Sequence, residues 1–222
     1  MDIHKLDWFY VTSFPDKGRI TLDHEEARHL KVKRHHEDEK ICIFDGKGKL
    51  AIATIAGKQV IIEKTEFVEN TASLTIAVSV PKGDRMDWML QKLTELNVAT
   101  IIPMKTKYSV VLPKEKKHNR WNRILIEACK QCKRAWIPEV KTLTNFDEII
   151  KMKSDVKLIL LQDGKSISKT NKDVLALIGP EGGFTEDEIA SAEKNGFVKT
   201  NIAPLTLRIE TAAIALASIL NQ

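Results

Sequence analysis

The apolar run Val174-Leu175-Ala176-Leu177-Ile178 passes without a break into Gly179-Pro180-Glu181-Gly182-Gly183, and that turn passes directly into Phe184-Thr185-Glu186-Asp187-Glu188. Nothing else in the chain constrains its fold as tightly. Glycine admits positive φ and lets another group approach the main chain. Thr185 and Glu188 have the spacing of a capping box, which predicts a helix starting at Thr185. A buried strand, a glycine turn and a helix N-terminus in that order make a cradle of backbone donors facing a ligand. A second stretch, Pro204-Leu205-Thr206-Leu207-Arg208-Ile209-Glu210-Thr211-Ala212, sets an arginine and a glutamate at another strand-to-helix junction. Two such junctions close in sequence predict one site built from two loops.

The rest of the chain supports an α/β reading of that site. Residues 41–44 and 50–55 flank Asp45-Gly46-Lys47-Gly48 as a hairpin, and 59–68 gives a further strand. With a short helix over 24–33, residues 1–70 read as a small β-barrel. Beyond residue 70 the pattern changes. Strands are predicted at 74–80, 99–103, 156–161, 174–178 and 198–203, and helices at 86–96, 120–134, 146–152, 185–195 and 210–220. The last helix is apolar nearly all round and reads as buried. Strands alternating with helices predict a parallel sheet covered on both faces, with ligands at the carboxyl ends of its strands. Both glycine-turn and Arg/Glu loops lie at such ends.

Composition narrows the classes. A chain of 222 residues that is 43% hydrophobic is globular rather than disordered. It has no apolar stretch long enough to cross a bilayer, and no signal peptide is read at its start, so a cytoplasmic protein without membrane attachment is expected. Three cysteines do not make a disulfide framework. Cys129 and Cys132 have Cys-x-x-Cys spacing but share an apolar stripe with Trp121, Leu125 and Ala128, so they read as packing residues rather than a redox pair or metal ligands. The net charge of +5 is uneven: residues 101–141 carry eleven Lys/Arg against three Glu. A second basic cluster holds Arg28, His29, Lys31, Lys33, Arg34, His35 and His36. Both suit a phosphate-backbone partner or, equally, a solvated lysine-rich surface.

The glycine turn is neither a Walker loop nor Gly-x-Gly-x-x-Gly. Glu181 inside it disfavours a polyphosphate and favours a ligand with a positive centre.

The chain resembles the RsmE family of 16S ribosomal RNA uracil-N3 methyltransferases, within the SPOUT superfamily, over nearly its whole length. The resemblance rests on His29-Leu30-Lys31-Val32-Lys33-Arg34, Phe44-Asp45-Gly46-Lys47-Gly48, Pro81-Lys82-Gly83-Asp84-Arg85-Met86 and Gln91-Lys92-Leu93-Thr94-Glu95-Leu96. It continues through Gln131, Arg134 and Pro138-Glu139-Val140. Its most specific parts are Ile178-Gly179-Pro180-Glu181-Gly182-Gly183 and Leu207-Arg208-Ile209-Glu210-Thr211-Ala212. It implies a PUA-like RNA-binding barrel over 1–70, then a methyltransferase domain over 71–222 with a C-terminal trefoil knot. It also implies a homodimer, 16S rRNA or the small ribosomal subunit as partner, and S-adenosylmethionine as cofactor. The cofactor loops would hold Leu161, Gln162, Gly179, Glu181, Gly182, Ile202 and Leu207. RNA contacts would come from Arg28, Lys31, Arg34, Lys82, Arg85 and Arg134. The sequence departs from the family in four places: Ile202-Ala203-Pro204-Leu205-Thr206-Leu207-Arg208 stands where Leu-Gly-x-Arg-Ile-Leu-Arg is usual, Tyr108-Ser109 where Arg-Ser is usual, Glu95-Leu96-Asn97 where Glu-Leu-Gly is usual, and an arginine often seen near the N-terminus is replaced around Trp8-Phe9.

Methylation of a uracil N3 needs a group to stabilise charge on the base carbonyls, for which Arg208 is the candidate, and a group to accept or direct a proton, for which Glu210 or Glu181 are candidates. Two alternatives stay open on sequence grounds. One is a methyltransferase of the same superfamily acting on another RNA atom; the other is a ribosome assembly factor that keeps the fold without catalysis.

Overall fold

A computed structural model describes residues 3–113 and 116–221, the side chain of Lys116 excepted. Two compact units emerge. The first comprises the chain as far as Thr71 together with Ile126–Ile137; the second comprises Ala72–Leu125 and the chain from Pro138 onward. The sequence places a single boundary at residue 70. The extra segment joins the first unit through long-range packing, which sequence periodicity does not encode.

In the first unit, β1 (Trp8–Tyr10), β2 (Gly18–Thr21), α1 (His24–Val32), β3 (Lys40–Phe44), β4 (Lys49–Ala56) and β5 (Gln59–Phe67) follow one another. The strands form one mixed sheet in the order β1-β3-β4-β5-β2. Asp23 caps α1 by accepting a hydrogen bond from the Glu26 amide at 2.8 Å. One face of the sheet buries Phe9, Ile41, Ile43, Ala51, Ala53 and Val60; the other packs Trp8, Cys42, Phe44 and Leu50 with Cys129 and Ala135. The turn between β3 and β4 needs its glycines for a tertiary reason. A Cβ on Gly46 would stand 2.3 Å from Ile137, and one on Gly48 2.6 Å from the Val68 carbonyl. That bare turn seats residues 135–137, whose Ile137 amide donates to the Gly46 carbonyl at 3.0 Å.

The second unit runs β6 (Leu74–Ser79), α2 (Arg85–Glu95), β7 (Thr100–Lys105), α3 (Lys116–Cys132, which enters the first unit at Ile126), β8 (Glu139–Val140), β9 (Thr144–Asn145), α4 (Phe146–Ile149), β10 (Val156–Ser166), β11 (Val174–Ile178), α5 (Glu186–Lys194), β12 (Val198–Asn201) and α6 (Ile209–Leu220). Its seven strands are all parallel, in the order β12-β10-β11-β6-β7-β8, with β9 also on β7. Every residue of β11 is buried, as expected of a central strand covered on both faces. Thr185 and Glu188 form the predicted capping box of α5, and Gly196 at φ +87° ends that helix.

Two expectations need correction. β10 does not end at Leu161 but continues to Ser166 through an irregularity, with Leu160 and Lys165 both opposite Thr200. α6 is not buried all round: Ala213, Leu216, Ala217 and Leu220 are covered, while Ile214, Ala215 and Ile219 are only half-buried. Small alanines thin out its apolar surface, and one face suffices to seat it against α2 and the sheet.

Candidate active site

The carboxyl ends of β10, β11 and β12 open on a cavity of about 400 Å³. This is the size of small-molecule sites generally, about 300–1,000 Å³. Three loops wall it. The irregular stretch of β10 contributes Leu161 and Gln162; the glycine turn contributes Gly179, Pro180, Glu181, Gly183 and Phe184; the last loop contributes Ile202, Ala203, Leu205, Thr206, Leu207 and Arg208. Two residues of α6, Ile209 and Ala212, close the floor. The lining is therefore mostly aliphatic and backbone, and among the described residues its only charged side chains are Glu181 and Arg208.

Local chemistry fixes each loop. Gly183 takes φ +73° and its amide donates to the Pro180 carbonyl at 2.8 Å, turning the chain back over the strand end. A Cβ on Gly179 would meet the Phe184 ring at 2.9 Å, so the bare backbone is what lets that ring shape the cavity. Asn201 ties two loops together. Its side-chain amide donates to the Gln162 carbonyl at 2.7 Å, and its oxygen accepts from the Ala203 amide at 2.9 Å. Gly164 is the other requirement, since a Cβ there would lie 2.4 Å from the backbone of Thr200. Asn201, Thr200 and Gly164 were not singled out from sequence. The Gln162-Asp163-Gly164 turn signal was there to be read, but the pairing partner was not.

Arg208 is the N-cap residue of α6 and is exposed, so its guanidinium stands beside the positive end of the helix dipole. The structure thus brings Leu161, Gln162, Gly179, Glu181, Ile202, Leu207 and Arg208 to one cavity. Gly182 does not line it; it faces a neighbouring groove, against Tyr108. Glu210 does not line it either. Its carboxylate is buried, with Oε1 3.7 Å from Nε of Arg85 and Oε2 without a hydrogen-bond partner.

The residues expected to meet RNA are placed unevenly. Arg28, Lys31 and Arg34 are exposed on and just after α1. Lys33 pairs instead with Asp7, and His35 bridges Asp7 at 2.9 Å and Glu39 at 2.7 Å. Lys82 is exposed, Arg85 faces Glu210, and Arg134 is half-buried, its guanidinium pKa lowered by that burial. The basic stretch 101–141 is not one cationic surface. Lys130 is buried, Lys133 donates to the Leu6 carbonyl at 2.7 Å, Arg120 pairs with Asp87, and Lys141 pairs with Glu139 at 2.5 Å. Lys114 and Glu115 of that stretch lie outside the described residues. All three cysteines are reduced, and burial pushes the Cys42 and Cys129 thiols up to about 12. Glu26, His29 and Glu127 come together in the first unit as carboxylate and imidazole groups able to surround a cation, and the ammonium of Lys130 lies among them.

No helix among the described residues is long and apolar enough to cross a membrane. The RNA methyltransferase domain family matches residues 68–221, and the RNA methyltransferase PUA domain family matches residues 22–64. The ribosomal RNA small subunit methyltransferase E of Bacillus subtilis (strain 168) is 32% identical, over 91% of this chain and 90% of its own. That of Aquifex aeolicus (strain VF5) is 29% identical, over 92% of this chain and 95% of its own. A crystal structure of the ribosomal RNA small subunit methyltransferase E from Neisseria gonorrhoeae, bound to S-adenosyl methionine, is 31% identical with a TM-score of 0.87, covering 96% of this chain and 95% of that one. With the parallel sheet, the N-terminal mixed sheet and the looped cavity all present, these matches over nearly full length show that the chain belongs to the ribosomal RNA small subunit methyltransferase E family of RNA methyltransferases.

Proposed function

We propose that this protein methylates N3 of a uridine in 16S ribosomal RNA, using S-adenosylmethionine held in the cavity at the ends of β10, β11 and β12. The observation that carries this reading is the character of that cavity: aliphatic walls, backbone groups of a glycine turn, and only Glu181 and Arg208 charged. Such a lining suits a nucleoside with a sulfonium centre and repels a polyphosphate. When bound, S-adenosylmethionine supplies a methyl carbon made electrophilic by its sulfonium.

The chain's own residues do the rest. The three loops hold the donor and exclude water, so that reaction becomes a matter of approach and alignment. Arg208 stabilises negative charge on the uracil carbonyls as N3 loses its proton; a guanidinium stays protonated and presents paired donors. The N-terminus of α6 adds a fixed positive field beside it. Glu181, exposed on the cavity wall, accepts or directs the N3 proton. Glu210, facing Arg85, positions the start of α6 rather than touching the base.

The first unit supplies an RNA-binding surface through Arg28, Lys31 and Arg34. A trefoil knot in the last strands and a cytoplasmic location follow from the same reading. So does a homodimer, supported by the half-buried Ile214, Ala215 and Ile219 of α6 and by Trp88 of α2, which is 48% exposed.

The test is transfer of labelled methyl from S-adenosylmethionine to small ribosomal subunits from cells lacking this modification. Label is expected as 3-methyluridine. Arg208→Ala should abolish transfer while leaving the unfolding transition in place. Label on any other atom, or full activity in that variant, would sink the assignment.

A further inference from the structure

Beside the cofactor cavity, the same edge of the sheet carries a second, open groove of about 610 Å³. Lys82 follows β6, Lys107 and Tyr108 follow β7, and Gly182 follows β11, so the groove lies over the carboxyl ends of three adjacent parallel strands. Glu181 lines both, so the groove adjoins the cavity.

The groove is built rather than incidental. After β7 the chain makes a turn in which the Ser109 amide donates to the Thr106 carbonyl at 3.3 Å and the Thr106 amide donates to the Ser109 hydroxyl oxygen at 2.9 Å. The Lys107 amide donates to the Glu188 carboxylate of α5 at 2.8 Å. These bonds hold Tyr108 at the tip of the turn, 49% exposed. Its Cβ would stand 3.2 Å from a Cβ on Gly182, so the turn and the bare Gly182 backbone lie close together. An anchored, half-exposed aromatic ring between two exposed lysines, Lys82 and Lys107, has the chemistry of a single-stranded nucleic-acid platform. Every base has a π-face for the ring, and ammonium groups take the phosphates.

Resting on the methyltransferase reading above, we propose that this groove binds an unstacked nucleotide next to the reacting uridine, its base on Tyr108 and its phosphates on Lys82 and Lys107. The reacting base then reaches the cofactor cavity across Glu181.

Two measurements test this on the full chain: binding of a short labelled oligouridylate, and cofactor affinity by calorimetry with S-adenosylmethionine. Tyr108→Ala should weaken oligouridylate binding roughly 5- to 100-fold, the range for loss of one base–aromatic stack. Tyr108→Phe, which keeps the ring, should restore it to within about twofold. Lys82→Ala and Lys107→Ala should each flatten the slope of log affinity against log salt by about 0.7. Cofactor affinity should be unchanged in all four variants. Equal binding by Tyr108→Ala and the parent overturns the proposal, as does equal loss in Tyr108→Ala and Tyr108→Phe, or an oligouridylate the parent does not bind. Its failure is distinct from failure of the methyltransferase reading, which is read by methyl transfer from the parent protein to small subunits.

Discussion

Lys130 offers the sharpest test of how this structure is held together. Its ammonium has three protons to donate, and each meets an acceptor: Glu26 Oε1 at 2.8 Å, Glu127 Oε1 at 2.8 Å and His29 Nδ1 at 2.7 Å. Its side chain and that of Glu26 are each only 6% exposed, and Oε2 of Glu26 has no hydrogen-bond partner. Removing the cation leaves a buried carboxylate uncompensated, so Lys130→Met should cost about 3–5 kcal/mol. Removing both charges, in Lys130→Met with Glu26→Gln, should recover most of that loss. The pH dependence has a definite sign. Burial holds the Glu26 carboxyl above its ordinary 4.5, with Lys130 pulling the other way. A raised carboxyl favours the folded state fully below its unfolded value and loses that contribution as pH rises through its folded value. Without Lys130 the upward shift is unopposed, so the deficit of Lys130→Met should be large at pH about 7 and shrink towards pH about 5. His29 acts in the opposite sense in the parent. Burial and the neighbouring ammonium hold it below 6.5, so its contribution is present above that pH and is lost as pH falls through its folded value. Urea unfolding of the parent, single and double variants at both pH values measures all of this. A single-variant deficit under about 1 kcal/mol at neutral pH, or no recovery in the double variant, would refute the reasoning.

Other outcomes follow from particular contacts. Gly164→Ala should destabilise by about 1–3 kcal/mol and weaken cofactor binding, because its new Cβ has only 2.4 Å to the Thr200 backbone; calorimetry and thermal unfolding on one sample check both. Arg85→Ala should cost about 1–2 kcal/mol through the buried Glu210, and should leave the salt slope of RNA binding as it was. Cys42 and Cys129, with thiols pushed up to about 12, should resist an aromatic disulfide reagent until urea unfolds the chain. Rapid modification of either in the native protein would contradict their burial.

Much of the fold can be read locally. The capping box at Thr185 and Glu188, the strand over 174–178 and the hairpin about Gly46 each depend on residues a few positions apart, and each stands as read. The cavity was half legible for the same reason: glycines and a charged junction at strand ends mark where a parallel sheet takes its ligand. What was not legible depends on partners far along the chain. The irregular stretch of β10 lies opposite Thr200, and Gly182 lies against Tyr108. β8 and β9, two residues each, exist only because β7 offers them an edge.

Lys130 shows where the division falls. In sequence it is one of eleven basic residues in a lysine-rich stretch, and such residues ordinarily keep their charge in water. Its neighbours on α3 set the helix and its apolar stripe, and so the sequence alone determined the element and the face. That the ammonium would be buried was decided by Glu26 and His29, more than a hundred residues earlier. Backbone conformation and hydrophobic period are properties of a short window, whereas the cost of desolvating a charge depends on which groups surround it, and only the folded chain supplies those.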